Sequence, residues 1–139
     1  MKVIAVIPAR YKSTRFEGKP LVNLCGKPMI WWVHHQLCQV KGLSEIYVAT
    51  DDERIRKVCS DYGIKYVMTS DSHPTHLDRL AEFAENIEPD FYININGDEP
   101  LMMPEYVERL LPTSDLNPVD FYFANAMTKI KKTVEVAGI

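Results

Sequence analysis

Four cationic side chains cluster near the amino terminus, directly after the apolar run from Val3 to Ile7. The twelve residues from Pro8 to Lys19 carry these four cations and a single carboxylate, so their net charge is +3 in a chain whose total is −3. One Arg guanidinium can bind two phosphate oxygens at once, and Lys offers a compact positive charge. This composition therefore favours a bound di- or triphosphate. A solvated surface loop is the alternative, because Arg and Lys are usually exposed. The cations are Arg10, Lys12, Arg15 and Lys19.

This basic segment (residues 8–19) lacks the two commonest nucleotide-binding motifs. A P-loop has Ser or Thr after its Gly-Lys pair, whereas Pro20 follows Gly18 and Lys19 here, and Ser13 stands where the first Gly would be. No two of the six glycines form a G-x-G, so the Rossmann fingerprint is absent as well. A nucleotide bound at this segment therefore needs a different kind of loop.

A second polar segment, Asn96-Gly97-Asp98-Glu99-Pro100, directly follows an apolar run. Mg²⁺ prefers carboxylate oxygens, keeps several waters and often takes only one or two protein ligands, so Asp98 beside a phosphate site predicts a magnesium ligand. The alternative is a simple turn, because Asn-Gly is a common hairpin signal.

Strand and helix patterns alternate along the chain, which predicts an α/β fold with a mainly parallel sheet and helices on both faces. In such sheets ligands bind beyond the carboxyl ends of the strands, where both polar segments are expected to lie. Without repeats or linker-like stretches, residues 1–139 are expected to form one domain. The predicted strands cover 3–7, 45–49, 64–68, 91–95 and 121–126, and the predicted helices cover 28–40, 53–62, 78–87 and 104–111.

Composition places the chain among ordinary globular proteins, with 46% hydrophobic and 25% charged residues. The net charge of −3 argues against nucleic-acid binding through a broad basic surface, and no apolar run is long enough for a membrane span. Three cysteines without a C-x-x-C pair suggest reduced thiols. We therefore expect a cytoplasmic protein without nucleic-acid or membrane partners.

Four segments, taken in order, resemble the CMP-sugar-acid synthetases, and among them the 3-deoxy-manno-octulosonate (KDO) cytidylyltransferases. They are residues 7–21, 26–30, 48–52 and 96–101, within about the first 110 residues. The resemblance implies a nucleotide-diphospho-sugar transferase-like fold and Mg²⁺-dependent transfer of CMP from CTP to a sugar acid, with release of pyrophosphate. We also expect a homodimer or higher oligomer, because an uncovered sheet edge and an exposed apolar face at the end of the chain would favour self-association.

The resemblance assigns roles to single residues of this chain. Arg10, Ser13, Arg15 and Lys19 match positions that bind the triphosphate, and Asp98 matches a Mg²⁺ ligand. Ala9 and Asn96 match positions that line the cytosine pocket. The implied catalytic residues are Lys19, Arg15 and Asp98.

Two departures from the family pattern leave the base contact and the acceptor open. Asn96 stands where the family usually has Gln, and His76-Leu77 replace a usual Gly-Thr. The family's remaining metal ligand and most of its sugar-contacting residues are expected beyond Ile139, so the chain is expected to lack the family's C-terminal part. The alternatives are therefore the same chemistry on another acceptor, such as a sialic-type acid, an alditol or a phosphonate, or a nucleotide-binding fragment without turnover.

Overall fold

The computed structural model describes residues 1–113, and it contains a four-stranded parallel sheet in the order β5-β4-β1-β6. A two-stranded antiparallel hairpin, β2-β3, lies outside this sheet. The strands are β1 (Val3–Ala9), β2 (Asn23–Leu24), β3 (Lys27–Pro28), β4 (Glu45–Thr50), β5 (Tyr66–Met68) and β6 (Phe91–Asn94). The helices are α1 (Met29–Leu37), α2 (Glu53–Asp61), α3 (His76–Asn86) and α4 (Pro104–Glu108), with a 3-10 helix at Lys19–Leu21.

Every residue of β1 is buried, because helices cover both faces of the sheet. Ala5 and Ile7 pack into a core with α1, α2 and α4, whereas Ile4 and Val6 pack with Phe83 of α3 on the other face. This two-sided burial explains why the strand is a continuous apolar run rather than an alternating one. The predicted α/β class, with helices on both faces of a parallel sheet, is confirmed.

Most element boundaries differ from the predicted ones by a few residues. The β2-β3 hairpin and the 3-10 helix were not predicted. The hairpin turns at Cys25 and Gly26, whose positive φ angles of 52° and 88° suit a two-residue connection, and it takes Pro28 out of the predicted helix. Helix α3 starts at His76 rather than residue 78, because Thr75 and Asp78 form a reciprocal capping box. The predicted strand 121–126 lies outside the described residues.

Strand β1 continues through Pro8 to Ala9, although the sequence predicted that it stops before Pro8. The Val6 carbonyl accepts a hydrogen bond from the Ile95 N–H at 2.9 Å, which shows that Val6 faces β6. Pro8, two residues on, faces the same side, but the pairing with β6 has already ended at Val6 and Asn94. The missing N–H of proline therefore costs no ladder hydrogen bond there.

Successive strands are added on one side of β1 as far as β5, and the next strand, β6, is added on the other side. From β1 the chain moves outward to β4 and then β5, and it returns to pair β6 with the free side of β1. Because β1 and β6 are parallel neighbours, the loops that follow them lie at the same carboxyl edge, beside the point of reversal, which is the position where open α/β sheets form their ligand crevice. None of the helices in the described part of the chain combines the length and apolar character needed to cross a bilayer.

Candidate active site

A cleft of about 820 Å³ opens at the crevice between β1 and β6. One wall is the basic segment after β1, and the other is the loop after β6. The predicted juxtaposition of the two polar segments is therefore present in the structure. The lining residues are Pro8, Ala9, Arg10, Lys12, Ser13, Thr14, Glu17, Lys19, Pro20, Asn96, Gly97 and Asp98.

The basic segment is folded back on itself by Gly18. The Gly18 N–H donates to the Tyr11 carbonyl at 2.7 Å, and its φ of 71° is in the left-handed region. A Cβ built on Gly18 would lie 3.0 Å from the Tyr11 ring, so glycine is needed here both for its conformation and for its size. The closed loop delivers Lys19, the first residue of the 3-10 helix, to the cleft.

Lys19 and Asp98 meet across the cleft from the two walls. The Lys19 Nζ lies 3.2 Å from the Asp98 Oδ2, and both side chains are about half exposed. Gly97 lets the Asp98 loop approach β1, because a Cβ there would lie 3.3 Å from the Pro8 carbonyl oxygen. A cation and a hard carboxylate thus stand side by side in an open, polar site.

The remaining predicted residues of the cleft have distinct surroundings. Ala9 is buried at the end of β1, and Asn96 is exposed, with its amide Nδ2 3.4 Å from the Glu99 carboxylate. The Ser13 hydroxyl oxygen lies 3.4 Å from the backbone N–H groups of Arg15 and Phe16, so it also supports the turn of the loop.

Arg15 is exposed and is not among the residues that line the cleft. It is the one predicted nucleotide-binding residue that the structure does not bring to the lining, and its role stays a prediction. Conversely, Thr14 and Glu17 line the cleft without having been assigned a role, and Lys12, a cation of the basic segment without a role of its own, lines it too. Their position in the basic segment was the sequence feature that could have indicated their place in the cleft.

Arg10 reaches the cleft from the first position after β1, and its guanidinium donates a hydrogen bond to the carbonyl of His73. A second arginine, Arg79 of α3, is only 1% exposed and lies 3.5 Å from the Asp51 carboxylate. Burial lowers the pKa of Arg79, and the nearby Asp51 opposes that change. The sequence offered no signal for this buried cation.

Arg54 of α2 contacts the basic segment at Tyr11. Its guanidinium stacks 3.2 Å from the centre of the Tyr11 ring and forms a paired hydrogen bond with Asp52. That pairing holds the pKa of the Asp52 carboxyl below its ordinary value, and Asp52 also caps α2 through the Arg54 N–H. Asp52 therefore has a structural role in the segment 48–52.

The residues of the cleft fit a magnesium ion bound together with a phosphate chain. Asp98 supplies the hard oxygen that Mg²⁺ prefers, and the cations around it suit the phosphates that would complete the coordination. Among the described side chains there is no group of three or more His, Cys, Asp or Glu that could hold a metal on its own. This donor set suits magnesium bound with its substrate better than a metal caged by protein alone.

A sequence profile of the family described as cytidylyltransferase matches residues 4–137. The chain belongs to the cytidylyltransferase family.

The chain is similar to the 3-deoxy-manno-octulosonate cytidylyltransferase of Escherichia coli, with 47% identity over 110 residues, which is 79% of this chain and 45% of that protein. It is also similar to the 8-amino-3,8-dideoxy-manno-octulosonate cytidylyltransferase of Shewanella sp. (strain W3-18-1), with 41% identity over 98% of this chain and 57% of that protein. The chain thus spans about half the length of the curated relatives that it matches.

Among solved structures, the chain resembles a CMP:2-keto-3-deoxy-manno-octonic acid synthetase complexed with CTP. The TM-score is 0.78 with 46% identity, and the match covers 79% of this chain and 46% of that one. A cytidylyltransferase from Leptospira borgpetersenii has a TM-score of 0.69 at 22% identity over 79% of this chain and 47% of that one, a likeness in fold alone. The expected nucleotidyltransferase-like fold is confirmed.

Proposed function

We propose that the protein is a cytidylyltransferase that transfers CMP from CTP to a KDO-type sugar acid and releases pyrophosphate. The observation that carries the proposal is the pairing of Lys19 with Asp98 at 3.2 Å inside a basic cleft at the β1–β6 crevice. The similarity to a synthetase solved with CTP supports the same nucleotide.

The reaction needs positioning and charge neutralisation rather than a protein nucleophile. The sugar hydroxyl oxygen bonds to the α-phosphorus of CTP and its proton passes to water, while the bond from the α-phosphorus to the bridging oxygen breaks and pyrophosphate leaves with that oxygen. Arg10, Lys12 and Lys19 line the cleft and supply the positive charge that a triphosphate and a departing pyrophosphate require. Arg15 is proposed as a further cation of this set.

We propose magnesium as the cofactor, held by Asp98 together with the substrate phosphates. When bound, the ion neutralises phosphate charge and orients the phosphate oxygens. Lys19 must then exchange its contact with Asp98 for a phosphate oxygen, which its half-exposed, flexible side chain permits.

Cytosine is the proposed base, with Ala9 and Asn96 lining its pocket. Ala9 is buried at the end of β1 and lines the cleft with a small side chain. An amide such as that of Asn96 both donates and accepts hydrogen bonds, which suits the cytosine edge.

A cytoplasmic location and a homodimer or higher oligomer also belong to this proposal. The exposed apolar side chains of Leu101, Met103 and Tyr106 support self-association. Sedimentation velocity checks the oligomeric state: a single monomeric species at all concentrations would contradict it.

A continuous pyrophosphate assay with CTP, Mg²⁺ and KDO tests the function, with the 8-amino analogue of KDO as a second acceptor. The expected result is pyrophosphate release that depends on both CTP and the sugar acid. CTP binding by calorimetry without release from either acceptor would favour a nucleotide-binding module without turnover. Release with a sialic-type acid, an alditol or a phosphonate instead would identify a different acceptor.

A further inference from the structure

Arg10 is held in the cleft by a segment that lies 63 residues further along the chain. Its guanidinium donates to the backbone carbonyl of His73, in the connection between β5 and α3. A carbonyl carries no net charge, so this contact orients Arg10 without neutralising it. Arg has five N–H donors, and those not used by His73 remain for a phosphate.

The connection that carries the His73 carbonyl is in turn fixed to one side of α3. Glu82 accepts a hydrogen bond from the Ser70 N–H at 2.8 Å, and the same carboxylate oxygen, Oε2, is paired with Nε2 of the His73 ring. One turn earlier on α3, the buried Arg79 donates to the Thr69 hydroxyl. Arg79 thus holds the beginning of the segment 69–73, and Glu82, one turn later on α3, holds Ser70 and His73.

A second cation, Arg79, lies near Arg10. The buried Arg79 guanidinium is close enough for Arg10 to contribute to the lowering of its pKa, so the two cations repel each other. Asp51 is paired with Arg79 at 3.5 Å. The contact with the His73 carbonyl keeps Arg10 at the cleft in spite of this repulsion.

We propose that Glu82 and His73 are positioning residues for the nucleotide, which act through the His73 carbonyl to hold the Arg10 guanidinium in place. This inference rests on the proposed function, because it assumes that the cleft binds the triphosphate of CTP. It adds two residues, one of them on a helix remote from the cleft lining, to those that determine nucleotide affinity.

The test is a mutant cycle on CTP·Mg²⁺ affinity measured by calorimetry. Glu82→Ala is expected to weaken CTP binding by about 3- to 10-fold, within the range found for directly coupled neighbours. In an Arg10→Ala background, the same substitution is expected to change the affinity by less than about twofold, because the group that it positions is gone. His73→Ala keeps the backbone carbonyl but loses the ring contact, and it is expected to behave like Glu82→Ala.

Two further variants separate positioning from general destabilisation. Glu82→Gln keeps a hydrogen-bond acceptor at the same place but removes the charge. It is expected to restore most of the affinity lost in Glu82→Ala. Glu85→Ala removes an exposed carboxylate from the next turn of α3 and is expected to bind CTP like the wild type. Thermal unfolding of each variant confirms that the chains compared are folded.

Equal losses from Glu82→Ala in the wild-type and Arg10→Ala backgrounds would overturn the inference, since the effect would not pass through Arg10. Wild-type affinity in Glu82→Ala and His73→Ala would also overturn it while leaving the proposed function intact. A wild-type chain that does not bind CTP would contradict the proposed function itself, and this inference with it.

Discussion

The Nζ of Lys19 and the Oδ2 of Asp98 lie 3.2 Å apart although 79 residues separate them in the chain. Each follows a strand of the pair β1–β6, and both side chains are about half exposed. Exposed ion pairs of this kind contribute little to folding, so the pair is better explained by what it can bind than by what it stabilises.

Lys19→Ala and Asp98→Asn are each expected to weaken CTP·Mg²⁺ binding by about 1.5–3 kcal/mol, the scale of a charge-assisted hydrogen bond. The free energy of unfolding is expected to change by less than about 1 kcal/mol, because the pair is exposed. Calorimetry and urea unfolding measure the two effects. Asp61→Asn removes the partner of Lys57 from an exposed ion pair on α2 and is expected to change neither quantity appreciably. A large loss of stability without a loss of CTP affinity would refute the assignment.

Arg15→Ala is expected to weaken CTP binding by about 1.5–3 kcal/mol if this exposed cation contacts the triphosphate when it is bound. Arg15 stands on the same loop as Arg10 and Lys19 but outside the cleft lining, so it would have to turn inward. Calorimetry on the wild type and the variant decides the matter. Equal affinities would remove Arg15 from the site.

Gly18→Ala is expected to cost more stability than Gly63→Ala. Both glycines have φ near 70°, where a Cβ costs about 1–2 kcal/mol. At Gly18 the Cβ would also lie 3.0 Å from the Tyr11 ring, whereas nothing lies within 4 Å at Gly63. Denaturant unfolding of the two variants isolates the steric contribution. Equal losses would show that the Tyr11 ring moves aside freely.

ATP is expected to displace CTP at least about tenfold less well than unlabelled CTP does, because the proposed pocket between Ala9 and Asn96 would be too small for a purine. Discrimination against UTP depends on the Asn96 amide, so Asn96→Ala is expected to reduce it. Competition binding with a labelled CTP analogue measures both. Similar affinities for ATP and CTP would contradict a cytosine pocket at this place.

Burial raises the pKa of the Cys59 thiol from 9.0 to about 11. At alkaline pH the unfolded chain loses this proton before the folded chain does, so the thiol is expected to lower the free energy of unfolding as the pH rises from about 9 to about 11. Comparison with Cys59→Ala across this range isolates the effect, which the variant should lack. Iodoacetamide at pH 8 is expected to label the exposed Cys25 and Cys38 but not Cys59. Rapid labelling of Cys59 would contradict its burial.

The sequence alone determined the parallel α/β class and the edge of the sheet where the site lies. Val3 to Ile7 is apolar without alternation because both faces of β1 are covered, so its buried, central place could be inferred from composition. The cations of the basic segment are neighbours in the chain, and Asp98 follows another strand. Because the carboxyl ends of parallel strands meet at one edge, the placement of Lys19 and Asp98 at the same edge could be predicted, whereas the pairing of β1 with β6 came from the structure.

Only the tertiary structure decided which side chains serve the cleft and what holds them there. The turn at Cys25 and Gly26, which takes Pro28 into a hairpin, depends on backbone angles that apolar periodicity does not report. The link from Arg10 through His73 to Glu82 joins three elements by side-chain and carbonyl contacts. Local spacing carries no information on such contacts, because they depend on how the loop between β5 and α3 packs against the end of β1. Arg79 is buried for the same reason: Thr69 and Asp51, its partners, come from the ends of two different strands.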